Sequence, residues 1–112
     1  MNKLLITIFL TVLFSFNAYA ESTRHCVSLE TPRGQSCGSP DSMNVIAQNN
    51  CGTTVYVKVC VEKTNGKWSC GSDSSLRPGA RNGGFYTCHA TAQYRWDSCT
   101  GGYSECGFKD PK

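Results

Sequence analysis

Past residue 20 the chain is short of the residues that usually build a core. Leu, Ile, Val and Phe number eleven in the 92 residues from Glu21 to Lys112, about 12%. That lies below the roughly 20% mark of chains that cannot fold on burial alone. Only two histidines occur, His25 and His89. Cys-x-x-Cys pairs, a Gly-x-Ser-x-Gly elbow and a phosphate-cradling glycine loop are absent. A redox-active dithiol, a zinc finger and a serine hydrolase of the usual pattern therefore have no sequence support. No cofactor or metal is expected.

Charge of one sign is also scarce. Without Lys3, ten Lys and Arg face eight Asp and Glu, a net +2. That is too weak to point to nucleic acid or to an anionic membrane. There is no Asn-x-Ser/Thr sequon after residue 20, so no N-linked glycan is expected.

The apolar residues missing from the body are gathered at the start. Lys3 precedes an apolar run from Leu4 to Phe16, and Ala18-Tyr19-Ala20 follows. Thirteen residues are too few to cross a hydrocarbon core of about 30 Å as a helix. A positive start, a short apolar run and a small-x-small site form an export signal, cut before Glu21. The first cysteine is Cys26, too far on for a lipoprotein. The expected product is secreted or periplasmic, monomeric, and free of the membrane once cut.

Eight cysteines then stand out: Cys26, Cys37, Cys51, Cys60, Cys70, Cys88, Cys99 and Cys106. An even number in a short exported chain reads as a disulfide framework. Four bridges would add about 2–4 kcal/mol each, enough to decide the sign for so thin a core. One pairing follows from a hairpin. With Thr64-Asn65-Gly66 as a three-residue loop, Lys63 faces Lys67 and Cys60 lies opposite Cys70. A two-residue Asn65-Gly66 loop would set Cys60 out of line. Proximity suggests Cys26–Cys37 and Cys99–Cys106, leaving Cys51–Cys88.

Three regions are expected: residues 1–20 as signal, 21–40 as an irregular tethered arm, and 41–112 as one cysteine-rich β domain. Val55, Val57, Val59 and Val61 alternate with Tyr56, Lys58, Cys60 and Glu62, a half-buried strand with its valines inward. Met43 to Gln48 reads as a strand ended by Asn49-Asn50-Cys51-Gly52. The alternative there is a short helix capped at Ser39-Pro40-Asp41, with Met43, Ile46 and Ala47 on one face. Lys67 to Cys70, Phe85 to Cys88 and Ala92 to Cys99 read as further strands. Leu76-Arg77-Pro78-Gly79 is a turn, Arg81-Asn82-Gly83-Gly84 a mobile one, and the glycine-rich tail is tethered by Cys106. The fold class is mainly β, a small disulfide-stapled antiparallel sandwich or barrel with little helix.

Asn50-Cys51 followed by Thr54-Val55-Tyr56-Val57, and later Leu76-x-Pro78-Gly79, resembles the opening strands of thaumatin-like proteins. The pattern is similar also to small cysteine-rich exported bacterial β-proteins without assigned activity. The resemblance implies a β-sandwich and carbohydrate binding, and supplies no active site. The chain is much shorter than a thaumatin domain and lacks its full cysteine set.

The candidate site is aromatic. Tyr94 and Trp96 share one face of a strand, Arg95 and Asp97 the other, with Trp68 and Tyr86 on neighbouring strands. Exposed rings beside Arg95 would stack on sugar rings or anchor a protein. The competing reading is that the rings fill the core. The function expected is a binding module for a protein or glycan partner, of the inhibitor, immunity or effector kind. The alternative is a small secreted hydrolase using His89 or an acidic pair such as Glu62 and Asp97.

Overall fold

A computed structural model describes residues 20–112. The signal expected at residues 1–20 lies outside them apart from Ala20. Six strands form: β1 (Val27–Glu30), β2 (Met43–Asn49), β3 (Val55–Lys63), β4 (Trp68–Leu76), β5 (Arg81–Thr87) and β6 (Ala90–Cys99). A 3-10 turn (Arg24–Cys26) precedes β1, and one helical turn, α1 (Tyr103–Cys106), follows β6. The strands make two antiparallel three-stranded sheets, the N-terminal sheet β1-β2-β5 and the valine sheet β4-β3-β6. The mainly β, disulfide-stapled expectation is met.

β3 forms because β-branched residues at every second position suit a pleated surface. Its four valines are each 2% exposed or less and face Val45, Ala47 and Phe85 of the other sheet. The β3–β4 hairpin turns through Thr64-Asn65-Gly66. Lys63 N donates to Lys67 O at 2.8 Å, and Gly66 takes a left-handed φ of 84°. That three-residue loop sets Cys60 opposite Cys70.

Three expectations are corrected. The first is the half-buried strand: Tyr56, Lys58 and Cys60 are buried as well, so β3 is covered on both faces up to Val61. The second is the arm 21–40, which is not irregular throughout. Val27–Glu30 pairs with β2, and Ser22 bridges to Cys99 at the edge of β6. The third is Arg81-Asn82-Gly83-Gly84, which is strand rather than mobile turn. Arg81 and Asn82 pair with Gln48 and Ala47, and Asn82 Nδ2 donates to Asp73 Oδ2 at 2.8 Å. Met43–Asn49 is the strand expected, not the capped helix.

Four disulfides close the sandwich. Cys60–Cys70 and Cys99–Cys106 are as expected; Cys26–Cys37 and Cys51–Cys88 are replaced by Cys26–Cys51 and Cys37–Cys88. The reason is the β1–β2 register. Val27 pairs with Asn49, so Cys26 and Cys51 flank the same end of one ladder, Cα atoms 5.0 Å apart. Cys37 lies instead in a loop that packs on the β5–β6 turn. There Arg33 donates to Ala90 O at 3.1 Å and Ala90 N to Asp41 O at 2.9 Å.

Asn49 anchors the turn after β2. Its fully buried side chain donates to Thr53 O and Leu76 O and accepts from Cys51 N, all within 2.9 Å. Four disulfides fit an oxidising environment. No helix among the described residues is long and apolar enough to cross a membrane.

Cys37–Cys88 closes a sequence separation of 51 and Cys60–Cys70 one of 10. Chain entropy gives them about 4 and about 3 kcal/mol. Double alanine replacement of Cys37 and Cys88 is therefore expected to lower the urea midpoint more than replacement of Cys60 and Cys70. Full reduction is expected to unfold the domain, read by loss of the near-ultraviolet circular dichroism.

Candidate functional site

The five expected site residues fall in three places. Pairing of Cys60 with Arg95 and of Glu62 with Trp68 puts Arg95 and Trp68 on the outer face of the valine sheet. The Arg95 guanidinium lies over the Trp68 ring, 5.3 Å from its centroid. Tyr94 and Trp96 pair with Val61 and Val59 and so take the inward side. Trp96 packs half-buried against the core, with Arg24 over its ring at 4.9 Å. Tyr94 is 37% exposed at the sheet edge. Tyr86 pairs with Asn44 on the outer face of the other sheet and is 56% exposed. The rings therefore neither fill the core together nor form one platform.

The outer face of the valine sheet carries more than the expected pair. Along β3 it presents Tyr56, Lys58 and Cys60, which the chain's own C-terminal segment covers. The Tyr103 and Phe108 rings stand 6.4 and 5.7 Å from the Tyr56 ring. Lys58 pairs with Asp110 and lies 5.6 Å from the centroid of Tyr103. Between the segment and the sheet opens a cleft of about 580 Å³, bordered by Lys58, Arg95, Trp96, Asp97, Phe108 and Asp110. Cation, carboxylate and flat ring thus border one opening on a rigid sheet. Lys58, Phe108 and Asp110 were missed in the sequence. The polar residue inside a valine strand was the available signal.

The electrostatics follow from the pairing. Asp110 holds the Lys58 ammonium above its ordinary pKa of 10.5 and outweighs the opposing effect of burial. The Tyr56 hydroxyl, by contrast, is buried with no hydrogen-bond partner among the described residues.

Two arrangements suggest chemistry and do not supply it. Ser39, His89 and Asp41 cluster, but Ser39 Oγ (3.4 Å) and Asp41 Oδ1 (3.0 Å) both approach Nδ1 of His89. A relay needs the base between nucleophile and acid, one on each ring nitrogen. These contacts instead tie the Ser39–Asp41 loop to the β5–β6 turn. Glu62 and Asp97 are not a catalytic pair either. Asp97 is the partner of Lys58, four residues from Glu62 along β3, which is about 13 Å at strand rise. The Glu62 carboxylate instead accepts from Thr91 Oγ1 at 2.8 Å, at the opposite end of β6 from Asp97. Asp110 also approaches the Cys60 and Cys70 sulfurs, but a disulfide offers no thiolate to a metal.

Two outcomes are expected. Tyr56→Phe keeps the ring contacts and removes a buried unpaired hydroxyl, so it should raise unfolding free energy by about 1 kcal/mol in urea titration. Asp41 is held below its ordinary pKa of 3.8, first by the Ser39 hydroxyl and then by His89. Its folded value is depressed, so its contribution is present above pH 3.8 and lost as pH falls through the lower folded value. Asp41→Asn should flatten the acid limb of the plot of Tm against pH.

No family model, curated protein or solved structure matches the chain, so the reading of the site rests on its own geometry.

Proposed function

We propose that the protein is exported, cut before Glu21, and acts in the periplasm or medium as a disulfide-stabilised binding module. Its partner, a protein or a glycan, is recognised on the outer face of the valine sheet. One observation carries this reading. Arg95 stacks on Trp68 beside a cleft that also holds a buried lysine and an exposed acid. Trp and Arg are enriched among the anchors of interfaces, and a Trp ring on a rigid sheet buries large area at small cost in conformational entropy. Export is supported by the signal pattern and by the disulfides. Residues 21–23 add to the β6 edge: Thr100 N donates to Glu21 O at 3.0 Å and Thr23 N to Ser98 O at 3.1 Å.

The test uses the oxidised Glu21–Lys112 protein, immobilised and offered the envelope and medium of its own cell. Trp68→Ala and Arg95→Ala should keep the urea midpoint and lose about tenfold or more in affinity for the retained partner. Tyr86→Ala, on the opposite sheet, should bind as the parent does. Unchanged binding by both Trp68→Ala and Arg95→Ala would overturn the reading.

A further inference from the structure

The segment closing the site is built to leave it. Residues 107–112 follow Cys106, which the Cys99 disulfide ties down. Gly107 takes a left-handed φ of 65° and caps α1, its N–H donating to Tyr103 O at 3.2 Å. Beyond Gly107 no backbone hydrogen bond joins Phe108–Lys112 to the sheet among the described residues. Side chains hold the segment: Phe108 on Tyr56 and Asp110 on Lys58.

That latch is unequal. The Lys58 side chain is 11% exposed and the Asp110 side chain 60%. A buried ammonium needs a counter-charge, whereas an exposed carboxylate is at home in water. In the closed arrangement the Tyr56 hydroxyl is buried without a partner, a standing cost to the fold. The segment further leaves the cleft of about 580 Å³ unfilled.

We infer that Gly107–Lys112 is a displaceable strap occupying its own protein's binding site, and that the site takes a peptide segment of a partner protein bearing an aromatic ring and, two positions on, a carboxylate. The occupant's chemistry is read from the strap. Phe108 and Asp110 show that the face beneath seats a ring on Tyr56 and an acid on Lys58 from one short chain. The partner's ring and acid replace them, and its flanking residues reach the open part of the cleft beside Arg95 and Asp97. Binding strength is therefore set by competition, because the apparent affinity falls with the fraction of molecules whose strap is open.

This inference rests on the binding reading above and deepens it. The probe is the labelled hexapeptide Gly-Phe-Lys-Asp-Pro-Lys, titrated by fluorescence anisotropy into the oxidised full-length mature protein. Asp110→Asn should bind it about tenfold more tightly than the parent, since the internal acid no longer competes. Asp110→Ala should do the same. A peptide with its aspartate replaced by asparagine, or its phenylalanine by alanine, should lose that gain.

Equal affinity of parent and Asp110→Asn, or equal binding of the acid and amide peptides, overturns the inference. So does a dimer of Asp110→Asn with exchanged straps, since the occupant would then be a second copy. The two readings fail separately. If Trp68→Ala and Arg95→Ala lose the partner while Asp110→Asn behaves as the parent, the strap is wrong and the site stands. If neither loses it, the site itself is wrong.

Discussion

The whole structure depends on β3 being buried on both faces. Its valines supply the largest block of a core that has few large aliphatics, and it is the central strand of its sheet. A central strand has no edge to expose, so its backbone is satisfied by β4 and β6 together. What differs is how each side is covered. The valine side meets the N-terminal sheet, an apolar contact that needs no partner chemistry. The other side carries Tyr56, Lys58 and Cys60, and each needs something specific: rings, a carboxylate, a second sulfur. The C-terminal segment and β4 provide these. A strand covered on one side by a sheet and on the other by a short segment has a thin second cover.

The disulfides act where that economy leaves the fold weakest. Cys60–Cys70 staples β4, whose Gly71-Ser72-Asp73-Ser74-Ser75 stretch has little intrinsic preference for a strand. Cys26–Cys51 fixes the free end of the β1–β2 ladder. Cys37–Cys88 holds a loop region that adds little to the core. Cys99–Cys106 ends β6 and sets where the covering segment can pivot. Three of the four thus secure polar or irregular chain against the sandwich, in place of apolar burial.

Much of this was legible in the sequence. Valines at every second position, with Asn65-Gly66 after them, gave β3, its turn and Cys60–Cys70 from local rules. The Cys26 and Cys37 partners were not legible, because they depend on the β1–β2 register. Val27-Ser28-Leu29-Glu30 is too short and too polar at its flanks to announce a strand. Arg81–Gly84 read as a turn for the same reason: its glycines signal freedom, and only pairing with β2 removes it. At the site, Trp68 and Arg95 could be named from composition but not paired. Their contact requires the β3–β4 and β3–β6 registers at once. Tyr94 and Trp96 were correctly placed on the face opposite Arg95, yet that same alternation separates them from the cleft's cationic side.

Lys58 is the residue at which these arguments meet. In a strand alternating with valine, a lysine reads as the solvated face. A solvated lysine would be neutral to the fold and would imply nothing about function. Burial reverses both statements. A lysine taken out of water on a central strand destabilises the fold unless a carboxylate accompanies it, and β6 offers Asp97 as its direct neighbour in register. The chain nonetheless brings Asp110 from its last residues to make the ion pair. A fixed acid on a packed strand would give a permanent, purely structural pair. An acid on a segment without backbone pairing gives one whose partner is exchangeable. The position of the acid, more than its presence, is therefore what the proposed recognition on the outer face of the valine sheet rests on.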